Sequence, residues 1–139
     1  MAFVIDASVV LAWLLPDERS DAAQGLLMRA VRERPRAPSL LMLEVGNALL
    51  QAERRTRLRR ATRLELLDAL TALPIALEPI AAEAMLRAGE LAARHSLTLY
   101  DACYLELAIA RSCALATFDR ALCDAARKEG ILLLDAGGA

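Results

Sequence analysis

Short apolar segments alternate with longer segments of helical periodicity along this chain, and that alternation restricts the fold more than any other feature. The short segments predict strands over residues 3–5, 36–37, 75–77, 114–117 and 131–134. Strands separated by helices form βαβ units, whose strands are parallel and whose crossovers are right-handed. We therefore predict an α/β fold with three layers, α/β/α, around a mostly parallel central sheet.

The segments between the strands carry the signals of helices. We predict helices over residues 8–15, 22–31, 39–54, 59–73, from Pro79 onward, 99–111 and 120–129. Ser39 is a candidate N-cap, and Gly130 ends the last helix. In the helix that Pro79 opens, the pairs Glu83/Arg87 and Glu90/Arg94 have the spacing of ion pairs on a solvent face.

Length and composition indicate one globular domain over residues 1–139. Hydrophobic residues make up 57% of the chain and charged residues 25%, which excludes a disordered or low-complexity protein. No apolar run approaches the roughly 18 residues of a membrane span. The first residues lack the basic segment of a signal peptide. We therefore expect a cytoplasmic protein with no membrane partner.

The charges and the reactive side chains exclude several kinds of site. With 17 basic and 18 acidic residues, the net charge of −1 excludes a uniformly basic nucleic-acid-binding coat but not a local basic patch. Cys103, Cys113 and Cys123 are an odd set without a Cys-x-x-Cys motif, so we expect reduced thiols. His95 is the only histidine, which excludes zinc sites that need two.

Four carboxylates do not fit the polar faces of the predicted helices: Asp6, Glu44, Asp101 and Asp119. Each has a structural alternative. Asp6 and Asp119 follow strands and could cap the next helix, Glu44 could belong to a solvent-exposed stripe, and Asp101 has capping-box spacing from Thr98. Together, however, two strand ends and two helices offer acids to one edge of the sheet, where open α/β folds place their ligands.

A cluster of four acids needs a cation. Neighbouring carboxylates repel each other and raise each other's pKa values. Mg²⁺ or Mn²⁺ relieves that repulsion, because both ions prefer oxygen ligands and keep several waters. Such a site suits metal-assisted hydrolysis of phosphodiesters.

The motifs around these acids resemble those of PIN-domain nucleases. They are Asp6-Ala7-Ser8, Glu44-Val45-x-Asn47-Ala48, Leu99-Tyr100-Asp101-Ala102 and Thr117-Phe118-Asp119. Successive acids are 38, 57 and 18 residues apart, so the resemblance spans nearly the whole chain. Within the family, the pattern is most similar to the VapC-type toxins of toxin–antitoxin operons.

The resemblance implies a Mg²⁺- or Mn²⁺-dependent endoribonuclease. Asp6, Asp101 and Asp119 would be the main metal ligands, and Glu44 would hold a metal through water or activate the attacking water. Ser8 and Thr117 match positions that support the cluster by hydrogen bonding, and Asn47 matches a position just behind the metal ligands. The resemblance also implies a homodimer and a VapB-type antitoxin that covers the site.

Two further features have open interpretations. Six arginines occur in ten residues, and they could bind RNA phosphates or simply be solvated: Arg54, Arg55, Arg57, Arg59, Arg60 and Arg63. We favour the solvated interpretation, because blocks of like charge are often only surface. Trp13 could anchor an antitoxin helix in a groove or pack in the core.

Two other functions compete with the nuclease. A haloacid-dehalogenase-like phosphatase also uses an early Asp, but it needs a second Asp where this chain has Ser8 and a mid-chain Lys where the only lysine is Lys128. The other alternative is a non-catalytic interaction module whose acids only cap helices. Such a module would not bind Mn²⁺.

Overall fold

The computed structural model describes residues 2–134, which form one parallel sheet with helices on both faces. Its four strands are β1 (Phe3–Ile5), β2 (Arg36–Pro38), β3 (Ala76–Glu78) and β4 (Ala114–Ala116). They lie in the order β3-β2-β1-β4, and every pairing is parallel. The predicted parallel sheet is confirmed.

Seven α-helices connect or follow the strands within this range. They are α1 (Ala7–Leu14), α2 (Asp21–Glu33), α3 (Leu40–Arg54), α4 (Arg60–Thr71), α5 (Ala82–His95), α6 (Leu99–Arg111) and α7 (Arg120–Lys128). A short 3-10 turn, Pro16–Glu18, separates α1 from α2.

The helices sort into two sets by their mutual contacts, which gives the predicted three layers. Helices α1 to α4 pack on one another, and α6 packs on α5, on α7 and on the sheet. Right-handed crossovers explain the division, because the chain moves across the sheet one way from β1 to β3 and the other way to β4. The core between the layers includes Phe3, Ile5, Leu41, Leu49 and Leu105, all fully buried.

Two predicted element boundaries are wrong. Helix α5 begins at Ala82 rather than at Pro79, because Ala81 is still extended and residues 79–81 connect the sheet edge to the helix. The predicted strand over residues 131–134 reduces to a single parallel bridge between Leu115 and Leu133. Two backbone hydrogen bonds hold that bridge, from Leu115 N to Leu132 O and from Leu134 N to Leu115 O.

The ion pairs expected along α5 connect different elements instead. Arg87 contacts Glu106 of α6 at 3.0 Å rather than Glu83. Arg94 contacts Glu129 at 2.7 Å rather than Glu90. The tertiary pairs replace the helical ones because Glu106, only 7% exposed, needs a charged partner more than an exposed acid does.

Two observations on the described part of the chain concern membrane insertion and the thiol groups. No helix in it is long and apolar enough to cross a membrane. The three cysteines are free; Cys103 is buried, and Cys113 and Cys123 are half-buried.

Candidate active site

The order of the strands reverses between β1 and β4, and the candidate site lies where these two strands end. The chain leaves β1 toward β2 on one side, whereas β4 pairs with β1 on the other side. Asp6 directly follows β1, and Thr117 to Asp119 follow β4. Ligands in open α/β sheets bind at this reversal, outside the carboxyl ends of the strands.

Asp6 is buried at this edge and held by three donors. It is 4% exposed. Its Oδ1 accepts hydrogen bonds from Ser8 Oγ at 2.6 Å and from Val9 N at 3.2 Å, and its Oδ2 accepts one from Thr117 Oγ1. The bond from Val9 N makes Asp6 the N-cap of α1, so the capping alternative is correct for this residue. The cap uses only Oδ1, so Oδ2 is left to accept the bond from Thr117.

Ser8 and Thr117 tie the ends of β1 and β4 together through their hydroxyl groups. Phe118 N donates to Ser8 Oγ at 2.9 Å, and Asp119 N donates to Thr117 Oγ1 at 3.0 Å. Both hydroxyls also donate to Asp6. The position of Asp119 therefore depends on the same hydroxyl groups that hold Asp6.

The environment of Asp6 disfavours its charge. Burial raises the pKa of Asp6 to about 6. The hydrogen bonds from Ser8, Thr117 and Val9 favour the carboxylate and lower the pKa, but the effect of burial is larger. The negative charge of Asp101 adds to the increase. A carboxyl group that costs this much to ionise is typical of a functional site.

Glu44 is held by a residue that sequence reasoning missed. Tyr104 Oη donates to Glu44 Oε1 at 2.5 Å, from a tyrosine that is fully buried. Burial raises the pKa of Glu44, the bond from Tyr104 opposes that increase, and the charge of Asp101 adds to it. The pKa of Tyr104 is raised far above its usual value by burial, by its bond to Glu44 and by the surrounding acids. Tyr104 thus stays a proton donor to Glu44.

Asp101 and Asp119 lie at the N-termini of two helices. Asp119 caps α7, and its Oδ2 accepts from Leu122 N at 2.8 Å. Asp101 is in the first turn of α6, whose N-cap is Thr98. Burial raises the pKa of Asp101, the charge of Asp119 raises it further, and the Thr98 hydroxyl opposes both.

The four acids share one electrostatic field without forming a closed ligand set. Asp101 raises the pKa values of Asp6 and Glu44, and Asp119 raises that of Asp101. Within residues 2–134, no group of three or more His, Cys, Asp or Glu side chains is arranged to hold a metal ion. Asn47, expected to support the cluster, is exposed and makes no hydrogen bond to another described side chain. The assignment of metal ligands therefore stays a prediction.

The arginine cluster begins at the end of the helix that carries Glu44. Arg54 ends α3, ten residues beyond Glu44, which corresponds to about 15 Å along the helix axis. Arg57 pairs with Asp17 at 2.8 Å, and Arg63 pairs with Glu53. The other four are exposed and have no ion pair with the described acids: Arg54, Arg55, Arg59 and Arg60. Contact of these arginines with RNA stays a prediction.

Trp13 packs in the core, so the interpretation of this residue as an anchor for an antitoxin helix is not supported. The side chain is 8% exposed, and its indole N–H donates to Ala23 O at 2.8 Å. The ring is therefore already enclosed between α1 and α2.

Comparison with known proteins gives one consistent family. A family model described as PIN domain matches residues 3–128. Ribonuclease VapC3 of Pyrobaculum aerophilum is 34% identical over 125 residues, which are 89% of this chain and 94% of that protein.

Solved structures share the fold at lower identity. FitAcB from Neisseria gonorrhoeae has a TM-score of 0.72 and 17% identity, with 100% of both chains covered. VapBC2 from Rickettsia felis, bound to a DNA fragment from their promoter, has a TM-score of 0.71 and 14% identity, covering 96% of this chain and 98% of that one.

Proposed function

The chain belongs to the PIN-domain family, and from that premise we propose that it is a Mg²⁺- or Mn²⁺-dependent endoribonuclease and the toxin of a toxin–antitoxin pair. The observation that carries the proposal is the buried Asp6, which is held by two hydroxyl groups where the strand order reverses and whose pKa is raised in part by the charge of Asp101. The relative named a ribonuclease supports RNA as the substrate, since it is similar over nearly its full length. The phosphatase alternative does not fit this family.

The donor atoms at the edge suit a hard divalent cation. All four side chains offer oxygen, which Mg²⁺ and Mn²⁺ prefer. Each carboxylate oxygen has two lone pairs. Asp6 Oδ2 accepts one hydrogen bond, and Asp119 Oδ1 accepts none from the described residues. As the family resemblance implies, Asp6, Asp101 and Asp119 would be the main ligands, and Glu44 would hold the ion through water or act as a base.

Raised pKa values support the same conclusion. Three of the four acids are harder to ionise than usual, and each is raised in part by another acid of the set. A cation among them would reverse that effect, because an opposite charge nearby favours the carboxylate. An interaction module that used these acids only as helix caps would have no reason to bury Asp6.

In the reaction, some side chains would orient the candidate ligands, and one would accept a proton. When bound, the cation supplies Lewis acidity, which strengthens water as a nucleophile and offsets charge on the phosphodiester. Ser8 and Thr117 fix the orientation of Asp6. Tyr104 occupies Glu44 Oε1, so Oε2 is the atom that would accept a proton from the attacking water. The N-termini of α6 and α7 lie at the same edge and favour a bound phosphate.

The proposed partner is an antitoxin of the VapB type. This part of the proposal rests on the resemblance of the four motifs to VapC-type toxins. The antitoxin would cover the acidic edge and keep RNA away from it. We propose that expression of the chain without its antitoxin slows growth.

Cleavage of RNA by the purified chain tests the proposed function. The chain, freed of any antitoxin, should cut single-stranded or looped RNA only with Mg²⁺ or Mn²⁺, because exposed bases are accessible there. Attack by water should leave a 5′-phosphate and a 3′-hydroxyl. Asp6→Ala, Asp101→Ala and Asp119→Ala should each abolish cutting, whereas Glu44→Ala should keep a trace. Full activity in EDTA, or products with a 2′,3′-cyclic phosphate, would refute the mechanism.

A further inference from the structure

The aromatic side chains of this protein divide sharply by location. Of the five in the sequence, Phe3, Trp13 and Tyr104 are buried. The remaining two, Tyr100 and Phe118, are 63% and 44% exposed, and each directly precedes a candidate catalytic acid. Exposed aromatic rings beside a nuclease site are candidates for stacking with unpaired bases.

Tyr100 also lines an open cavity of about 470 Å³ between α3 and the start of α6. This volume lies in the range of small-ligand pockets, about 300–1,000 Å³. The wall is mostly apolar, with a few polar groups, and consists of Leu40, Leu43, Glu44, Asn47, Ala48 and Tyr100. Leu43 is 78% exposed, which is unusual for a leucine on a helix that otherwise packs in the core.

The polar groups of the cavity fit the edge of a base. Asn47 has a carboxamide that both donates and accepts hydrogen bonds, and it has no hydrogen-bond partner among the described side chains. Glu44 lines the same cavity and belongs to the acidic edge. A group seated in the cavity therefore lies beside one of the four candidate acids.

We propose that this cavity binds one unpaired nucleobase of the RNA, stacked on Tyr100 and contacted at its edge by Asn47. The inference rests on the proposed function, which makes the acidic edge the place of cleavage. It assigns this face of α3 a role in substrate selection. Its apolar residues would contact the base, and Asn47 would distinguish bases by their hydrogen-bonding edges. An antitoxin segment or a second copy of the chain is the competing occupant.

Binding of nucleotides without cleavage tests the inference independently of the nuclease activity. The probes are the 5′-monophosphates of adenosine, guanosine, cytidine and uridine in EDTA, with ribose 5-phosphate as the base-free control. We expect NMR shifts of the Asn47 amide and the Tyr100 ring with at least one nucleotide, and Kd at least about tenfold tighter than for ribose 5-phosphate.

Three variants of the full chain identify the residue responsible. Tyr100→Leu should weaken nucleotide binding about tenfold and Tyr100→Phe should restore it, because stacking needs the ring and not the hydroxyl. Leu86→Ala, at an exposed leucine of α5, is the matched control and should bind as the wild type does.

Three outcomes separate the possibilities. Equal affinity for nucleotides and ribose 5-phosphate, or unchanged binding in Tyr100→Leu, would overturn the inference. If Tyr100→Leu leaves nucleotide binding intact but dissociates a homodimer or an antitoxin complex, the cavity is a protein interface. Failure of the wild type to cut RNA while nucleotides still bind at Tyr100 would count against the proposed function and not against the cavity.

Discussion

The carboxyl group of Asp6 caps a helix and faces the acidic edge at the same time. Its two hydroxyl donors come from opposite ends of the chain, Ser8 after β1 and Thr117 after β4. Capping alone needs one accepted bond from a backbone N–H. The additional hydroxyls, the burial and the raised pKa together indicate that this carboxyl group is held for a purpose beyond the cap.

The first prediction concerns the stability of the metal-free protein as a function of pH. The pKa of Asp6 is raised from 3.8 to about 6, so below about pH 4 folded and unfolded states are both protonated and Asp6 has no effect. Between about pH 4 and pH 6 the unfolded chain has lost the proton whereas the folded protein keeps it, so the free energy of unfolding falls by about 3 kcal/mol over this range and is level above it.

Chemical denaturation in EDTA at pH 4 and pH 8 measures this effect. Asp6→Asn should reduce the loss of stability between the two pH values and be more stable than the wild type at pH 8. Asp68→Asn, at an exposed acid of α4, should keep the dependence of the wild type. An equally large loss in Asp6→Asn would show that burial of Asp6 does not cause it.

The second prediction concerns Tyr104. In Tyr104→Phe, Glu44 loses the bond that lowers its pKa, so the pKa of Glu44 should rise. The acid limb of the pH–rate profile should shift to higher pH, with cleavage at neutral pH reduced about tenfold, since one hydrogen bond to a charged group contributes about 1.5 kcal/mol or more. An unshifted profile would show that Tyr104 only fills space.

Helix α6 connects two of the candidate acids' neighbours to the adjacent helix α5. Its first turn carries Asp101, its buried face carries Tyr104, and Glu106 on the same helix reaches Arg87 of α5. A shift of α6 would therefore move two residues of the site together. The pair of Arg87 and Glu106 is positioned to resist such a shift.

The third prediction tests that pair. Arg87→Ala should lower the free energy of unfolding by about 1–2 kcal/mol, because it leaves the nearly buried carboxylate of Glu106 without its cation. The value is below that of a fully buried pair, since the Arg87 side chain is 60% exposed. Arg32→Ala, at an exposed arginine of α2, is the control for loss of charge and should change little. Equal effects in the two variants, measured by urea unfolding, would contradict the assignment.

Comparison of the predicted with the observed helices and strands shows which of them local sequence determines. Apolar strands and amphipathic helices were predictable from periodicity, and so was the parallel sheet that follows from their alternation. Two features were not: α5 begins only after an extended Ala81, and residues 131–134 pair with the sheet through a single bridge. Pro79 carries a signal for a helix start, but the path from β3 to α5 overrides it.

At the scale of the whole molecule, the sequence predicts candidate acids more readily than the residues that hold them in place. Spacing and resemblance pointed to Asp6, Glu44, Asp101 and Asp119, and the charges of these four residues act on one another in the folded chain. Tyr104 was not predictable, because its partner is 60 residues away. The ion pairs of Arg57 with Asp17 and of Arg94 with Glu129 were not predictable for the same reason, because the partners are far apart in sequence.

The fourth prediction is a homodimer with two-fold symmetry, as the family resemblance implies and as symmetric assemblies favour. Light scattering on the purified chain should give twice the 15.1 kDa of one chain at micromolar concentration. The groove for RNA would then be lined by both copies. A mass of one chain at that concentration would contradict the prediction.

Binding of Mn²⁺ tests the central claim, that Asp6, Asp101 and Asp119 together hold a divalent cation. Isothermal titration of the metal-free chain should show binding, and Mn²⁺ should raise its melting temperature, because the ion binds only the folded state. Asp6→Asn, Asp101→Asn and Asp119→Asn should each weaken Mn²⁺ at least about tenfold while the variants remain folded, whereas Asp68→Asn should bind as the wild type does. Unchanged affinity in the three site variants, or no binding by the wild type, would contradict the account.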